Sequence, residues 1–133
     1  MSGSRSEALR VPRKTVLIVD DEPDIRESLR DVLEDEGYRV VLAQNGKEAL
    51  QHLPTLERPC AIILDIIMPV MSGTELYEAL RADSKLSDIP LLVSTSDPSR
   101  APSGVLIMKK PIDVERLLVT VESLFQGLRA ARS

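Results

Sequence analysis

Short apolar runs alternate along the chain with stretches whose apolar residues recur at helical spacing. Thr15–Val19 is a continuous run of strand length, the pattern of a strand buried on both faces. Pro23 stands well for a first helical turn. Ile25, Leu29, Val32 and Leu33 follow on one helical face, and Gly37 is placed to end that helix. Tyr38–Ala43 reads as the next strand. Asn45 then caps a helix running through Leu53, where Pro54 stops it. Cys60–Leu64 is a third strand, after which Ser72 or Thr74 opens a helix carrying Leu76, Tyr77 and Leu80. Pro90–Ser94 and Val105–Met108 read as the fourth and fifth strands. The last helix covers about Asp113–Leu128, with Val114, Leu117, Leu118, Val121, Leu124 and Phe125 on its buried side.

Five apolar strands alternating with helices predict an α/β fold, with a parallel sheet covered on both faces. Right-handed crossovers leave few topologies, and a doubly wound sheet of order 2-1-3-4-5 is the natural five-strand solution. Ligands of such sheets bind beyond the carboxyl ends of the strands, where the strand order reverses. Asp20 and Asp21 end the first strand, Asp65 the third, Thr95 the fourth and Lys110 the fifth. Three carboxylates brought together repel strongly, and a divalent cation removes that problem. Mg²⁺ (or Mn²⁺) suits the all-oxygen donor set. Zinc chemistry is excluded, since Cys60 is the only cysteine and His52 the only histidine. A carboxylate can also attack phosphorus to form an aspartyl phosphate, and Lys110 can pair with a phosphoryl oxygen as a point charge.

Composition narrows the classes. The chain has 133 residues, 43% hydrophobic and 29% charged, which is one globular domain and not a disordered or collagen-like sequence. Its longest apolar runs, Val16–Val19, Cys60–Leu64 and Val105–Met108, fall far short of the ~20 residues of a membrane span. Net charge is −4, yet Arg5, Arg10, Arg13 and Lys14 against Glu7 give the first fourteen residues a local +3. The acidic remainder argues against nucleic-acid binding, and aromatics at 2% with no Trp argue against stacking platforms. The basic stretch 1–13 reads as a solubilising arm without the apolar core of a secretory signal. Cys60, inside an apolar run, reads as a small buried hydrophobe in the reducing cytoplasm.

The stretches Leu17-Ile18-Val19-Asp20-Asp21-Glu22-Pro23, Leu64-Asp65-Ile66-Ile67-Met68-Pro69-Val70-Met71-Ser72-Gly73 and Lys109-Lys110-Pro111 resemble the receiver domain of two-component response regulators, a CheY-like superfamily with a flavodoxin-like sheet. The resemblance covers 14–128, with tails at 1–13 and 129–133. It implies Asp65 as phosphoacceptor, and Asp21 and Asp20 as metal ligands, the latter mostly through water. It further implies the Ile67 backbone carbonyl as another metal ligand, Lys110 as phosphate partner ahead of a cis proline, and Thr95 as the switch hydroxyl. Ser94 and Ser96 compete for that last role, but Thr95 stands five past Pro90. The implied activity is that of a switch, not a conventional enzyme: Mg²⁺-dependent acceptance of a phosphoryl group from a sensor histidine kinase or phosphotransfer protein, then slow self-hydrolysis. Output would pass through an unnamed downstream protein or a domain not in this chain. The domain itself would contact neither nucleic acid nor membrane, and would be a monomer or a phosphorylation-linked dimer.

Each residue also has a structural reading. Asp20 and Asp21 can cap the first helix, His52 is an ordinary boundary residue, Lys109 a solvated strand end, and Met68 and Met71 packing residues. Two departures bear on output. Only Ser96–Gly104, with Pro98 and Pro102, separates the fourth and fifth strands, so the helix usual there should be missing or reduced to a turn. Ile107 stands where the family usually places Tyr or Phe. These departures motivate an alternative, a pseudo-receiver interaction module that switches little. An aspartate-nucleophile phosphohydrolase fits poorly, because it needs an acid/base Asp two residues after Asp65 and Ile67 stands there.

Overall fold

The computed structural model describes residues 14–66, 68 and 71–132, with side chains as far as 126. Five strands, β1 (Thr15–Val19), β2 (Arg39–Ala43), β3 (Ala61–Asp65), β4 (Leu91–Thr95) and β5 (Leu106–Lys109), alternate with four α-helices. The helices are α1 (Pro23–Asp35), α2 (Gly46–His52), α3 (Gly73–Ala82) and α4 (Val114–Arg132). All strand pairs are parallel, in the expected order β2-β1-β3-β4-β5. Among the described residues no helix is long and apolar enough to cross a membrane.

Alternating side chains send one sheet to two cores. On one face Val16, Ile18, Ile63 and Leu92 pack with Leu29 and Leu33 of α1 and Leu117 and Val121 of α4. On the other, Leu17, Val19, Ile62 and Leu64 pack with Ala49 of α2 and Leu76 and Leu80 of α3. This double burial is why β1 and β3 carry unbroken apolar runs. Cys60 is buried as expected, and desolvation pushes its thiol up to about 11.

Three differences from the sequence reading are local. Strands β3, β4 and β5 each begin and end one residue later than expected, so that Asp65 and Thr95 belong to the ladder and not to the following loop. Tyr38 precedes β2: its amide closes the end of α1 on the Leu33 carbonyl (3.1 Å), next to Gly37 at φ +95°. Its hydroxyl donates to Glu122 (3.0 Å), while the Lys14 ammonium lies 4.4 Å from the Phe125 ring. Burial first, then the Glu122 carboxylate, raise the Tyr38 hydroxyl above its ordinary range. These contacts bind the amino end of the sheet to α4. Helix α4 continues to Arg132 past the expected end at Leu128, because Leu128–Arg132 are strong helix formers with no breaker among them. The arm 1–13 lies outside the described residues.

The segment between β4 and β5 holds a single 3₁₀ turn, Pro98–Arg100, in place of an α-helix. Asn45 caps α2 by accepting the Glu48 amide (2.8 Å). Ser72, not Thr74, opens α3 through a capping box with Glu75. Gly73 lets that helix start directly over the end of β3. Its amide donates to the Ile66 carbonyl (2.9 Å), and a Cβ there would press into the Asp65 carbonyl oxygen and lie 2.6 Å from Ile66 Cα. Both obstacles are backbone and cannot swing aside. Gly73→Ala is therefore expected to lower stability by roughly 1–3 kcal/mol, the cost of overpacking. Urea unfolding measures it, and an unchanged midpoint would show that α3 can retreat at no cost.

Candidate functional site

β1 and β3 are neighbours at the point where the strand order reverses, and their carboxyl ends place acids side by side. The Asp20 amide extends the ladder to the Ala43 carbonyl (3.1 Å), which fixes its side chain above the sheet edge. Its Oδ1 accepts the Glu22 amide (2.9 Å), and Arg26 donates to its backbone carbonyl (2.7 Å). The N-cap of α1 is Glu22, without a side-chain capping bond, so neither Asp20 nor Asp21 serves as the helix cap. Asp20 and Asp65 are buried. One carboxylate oxygen from each of Asp20, Asp21 and Asp65 lies within 4.8 Å of the other two.

Lys110 reaches this group from the far side. Its amide donates to the Thr95 carbonyl (2.9 Å), and the Lys110–Pro111 bond is cis. The ammonium sits 3.0 Å from Asp20, 3.2 Å from Glu22 and 3.3 Å from Asp65. A lysine has three donors, and three carboxylates take them. Burial alone would lower the Lys110 pKa, but Asp20 foremost, then Asp65 and Glu22, outweigh it and hold the pKa above its usual value. The ammonium thus stays charged. Glu22 is the participant that the sequence reading gave no role. Its place beside Asp21 was the only signal, and nothing local shows that its side chain turns toward a lysine 88 positions on.

Three carboxylates share the Lys110 ammonium and Asp21 adds a fourth negative charge beside them, which leaves the pocket strongly negative. An all-oxygen donor set of this kind, partly buried and open on one side, fits a hard divalent cation. The groove above it, about 590 Å³, is lined by Asp21, Glu22, Ile25, Asp65, Ser96, Lys110 and Pro111. Ile67, whose carbonyl was the fourth expected ligand, lies outside the described residues. Met68 and Met71 pack in the α2/α3 core and Lys109 is exposed, as expected. His52 ends α2, half-buried.

Thr95 is fully buried. Its hydroxyl oxygen accepts the Asp97 amide (3.1 Å) and faces the Asp97 carbonyl (3.4 Å). Asp97 in turn accepts the amide and hydroxyl of Ser99 (3.2 and 2.6 Å), and the Ser99 hydroxyl chiefly holds its carboxyl below the ordinary range. The structure therefore joins Thr95 to the short β4–β5 loop. Across the ladder it is Ser94, not Thr95, that pairs in register with Asp65.

A doubly wound parallel sheet with an acidic triad and a lysine at its switch point defines a phosphoacceptor signalling module, not a conventional enzyme. The chain belongs to the response regulator receiver domain family, whose pattern it matches over residues 16–122. It is similar to the response regulator MprA of Mycolicibacterium vanbaalenii, 36% identical over 118 residues, or 84% of this chain and 50% of the relative. The chain thus spans about half the length of the curated relatives it matches. Among solved structures it resembles the receiver domain of a signal transduction histidine kinase from Syntrophus aciditrophicus (TM-score 0.77, 35% identity, 86% of this chain and 91% of that one). It also resembles TrrA of Thermotoga maritima, solved with Mg²⁺–BeF (TM-score 0.74, 33% identity, 84% of this chain and 98% of that one).

None of the three Lys110 contacts goes to Asp21, so among the described residues this carboxylate adds repulsion without a matching ion pair. Asp21→Asn is expected to stabilise the metal-free protein by on the order of 1 kcal/mol, since the charge is partly screened by solvent. The same change should shrink the thermal stabilisation given by added Mg²⁺. Calorimetry with and without Mg²⁺ reads both, and an Asp21→Asn protein that melts lower without metal would contradict the repulsion argument.

Proposed function

We propose that Asp65 accepts a phosphoryl group from the phosphohistidine of a sensor kinase or phosphotransfer protein in the cytoplasm. The observation that carries this reading is the triad Asp20–Asp21–Asp65 bridged by Lys110. Asp20, Asp21 and Asp65 would hold the Mg²⁺, which when bound neutralises the charge that gathers on the phosphoryl oxygens. An Asp65 carboxylate oxygen attacks phosphorus while the phosphorus–nitrogen bond of the donor breaks. The departing imidazole nitrogen keeps the electron pair and takes up a proton. Lys110 turns one of its donors from Asp65 to a phosphoryl oxygen, while Asp20 and Glu22 keep its ammonium in place.

A groove of about 270 Å³ adjoins this site, formed by Ile25, Ser28, Leu29 and Val32 of α1 and by Pro111, Ile112 and Val114. Because Lys110 borders both, a helix of the donor laid there would bring its histidine to Asp65. Output then runs through the β4–β5 loop. Movement of the Thr95 hydroxyl toward the phosphoryl group would break its bond to Asp97 and release the Asp97–Ser99 turn. The pseudo-receiver alternative draws on the same loop, since a Thr95 held by Asp97 would leave phosphorylation without a readout.

Intact mass after incubation with acetyl phosphate and Mg²⁺ tests the chemistry. One added phosphoryl group is expected, absent in Asp65→Asn and without Mg²⁺; retention of the gain in Asp65→Asn would move the acceptor elsewhere. Ser28→Arg, an exposed change in the groove, tests the docking. Transfer from the kinase should slow at least tenfold while phosphorylation by acetyl phosphate is unchanged, and equal kinase rates would remove the groove from the interface.

A further inference from the structure

Ser94 stands beside Asp65 in the sheet, and its part in the site rests on the phosphoacceptor reading of Asp65. Ser94 lies within β4, 1% exposed, and among the described residues its hydroxyl has no hydrogen-bond partner. A buried hydroxyl left without a partner forfeits the water it gave up, so its place in a packed strand requires an explanation. An apolar residue of similar size would be the better filler if packing were its only purpose.

Its position in the ladder supplies one. Ser94 is paired in register with Asp65 on one side and with Met108 on the other. Continuing the β1–β3 register past Val19 and Leu64 sets Asp20 beside Asp65. Asp20, Asp65, Ser94 and Met108 thus form one row across the sheet, with side chains on the same face. Lys110 leaves the end of β5 on that face and reaches Asp65 on β3 and Asp20 beyond β1, so it must cross β4. Ser94 is the β4 residue of that row. The neighbouring hydroxyl, Thr95, is already engaged by Asp97.

We propose that Ser94 is a second hydroxyl of the site, without a partner at rest and recruited when Asp65 is loaded. In the resting protein the Lys110 ammonium draws one Asp65 oxygen to itself at 3.3 Å. Once Lys110 turns to the phosphoryl oxygens, its share in holding the Asp65 carboxyl ends, and a small turn of that carboxyl toward its neighbour in the row suffices to meet the Ser94 hydroxyl. The phosphoryl group lies toward the open groove, whereas Ser94 is enclosed, so the acceptor is the buried oxygen of Asp65 itself. A bond made only in the loaded state favours that state. Ser94 is therefore a positioning residue that acts through Asp65.

Threonine and valine have the same shape and differ by the hydroxyl, so Ser94→Thr and Ser94→Val isolate it, and Ser94→Ala removes it without adding volume. Beryllofluoride in the presence of Mg²⁺ is titrated against each protein, and thermal midpoints are taken without metal. Expected is a roughly tenfold weaker beryllofluoride affinity in Ser94→Val and Ser94→Ala, retained in Ser94→Thr, with the metal-free Ser94→Ala no less stable than wild type. If the two larger variants fail to fold, Ser94→Ala against wild type decides. Affinity equal to wild type in Ser94→Ala, or a lowered metal-free midpoint, overturns the proposal while leaving the function intact. A wild-type protein that binds no beryllofluoride overturns the function, and this inference with it.

Discussion

The structure turns on a single cation shared among acids that would otherwise not tolerate one another. Asp20, Asp21 and Asp65 are brought within 4.8 Å by strand order alone, and Glu22 adds a fourth carboxylate. Burial of two of them removes the water that would screen their repulsion. Lys110 is the compensation, and its three contacts link the end of β5 to those of β1 and β3. One ammonium does not balance four carboxylates. The residual negative charge is what suits the pocket to a hard divalent cation.

Most of the fold could be read from the chain because both faces of the sheet are covered. β1 and β3 must be apolar throughout, and the helices show single apolar stripes, so existence and order of the elements follow from periodicity. Strand ends were missed by one residue for a definite reason. Periodicity stops at the last apolar side chain, whereas the ladder is built by backbone groups and runs on to Asp65 and Thr95. Those polar residues matter most here, since membership of the ladder fixes their direction. The end of α4 was missed because nothing in Leu128–Arg132 marks a stop.

Within the site, residue types and their order were legible, while side-chain partners were not. Asp20, Asp21, Asp65 and Lys110 converge as the topology requires. Glu22 joins them only because Lys110 approaches from the opposite side, a fact held 88 positions away. Thr95 was placed at the end of the fourth strand, one residue past its last expected member, and its bond to Asp97 depends on the tight turn that replaces a helix after β4. Ser94 could be seen only as a competitor of Thr95. Register sets the two on opposite faces of the sheet, Ser94 in the row of Asp65 and Thr95 bonded to the loop at Asp97.

That division bears on how a signal could leave the pocket. In a sheet whose β4–β5 connection is a full helix, movement of a strand-end hydroxyl is passed to a packed surface. Here it meets a short loop held by Thr95 to Asp97 and Asp97 to Ser99, beside an edge strand whose Leu106 and Ile107 are exposed. Such a loop has few buried apolar contacts to resist release, so breaking one hydrogen bond at Thr95 can change a larger share of its stabilisation than it would in a helix. If output takes the proposed route through Thr95, its energetic threshold would be correspondingly low. On the proposed function, Lys110 and Ser94 would favour the loaded state on one face of the sheet while Thr95 would release a weakly held loop on the other, a route that does not call on an aromatic side chain at position 107.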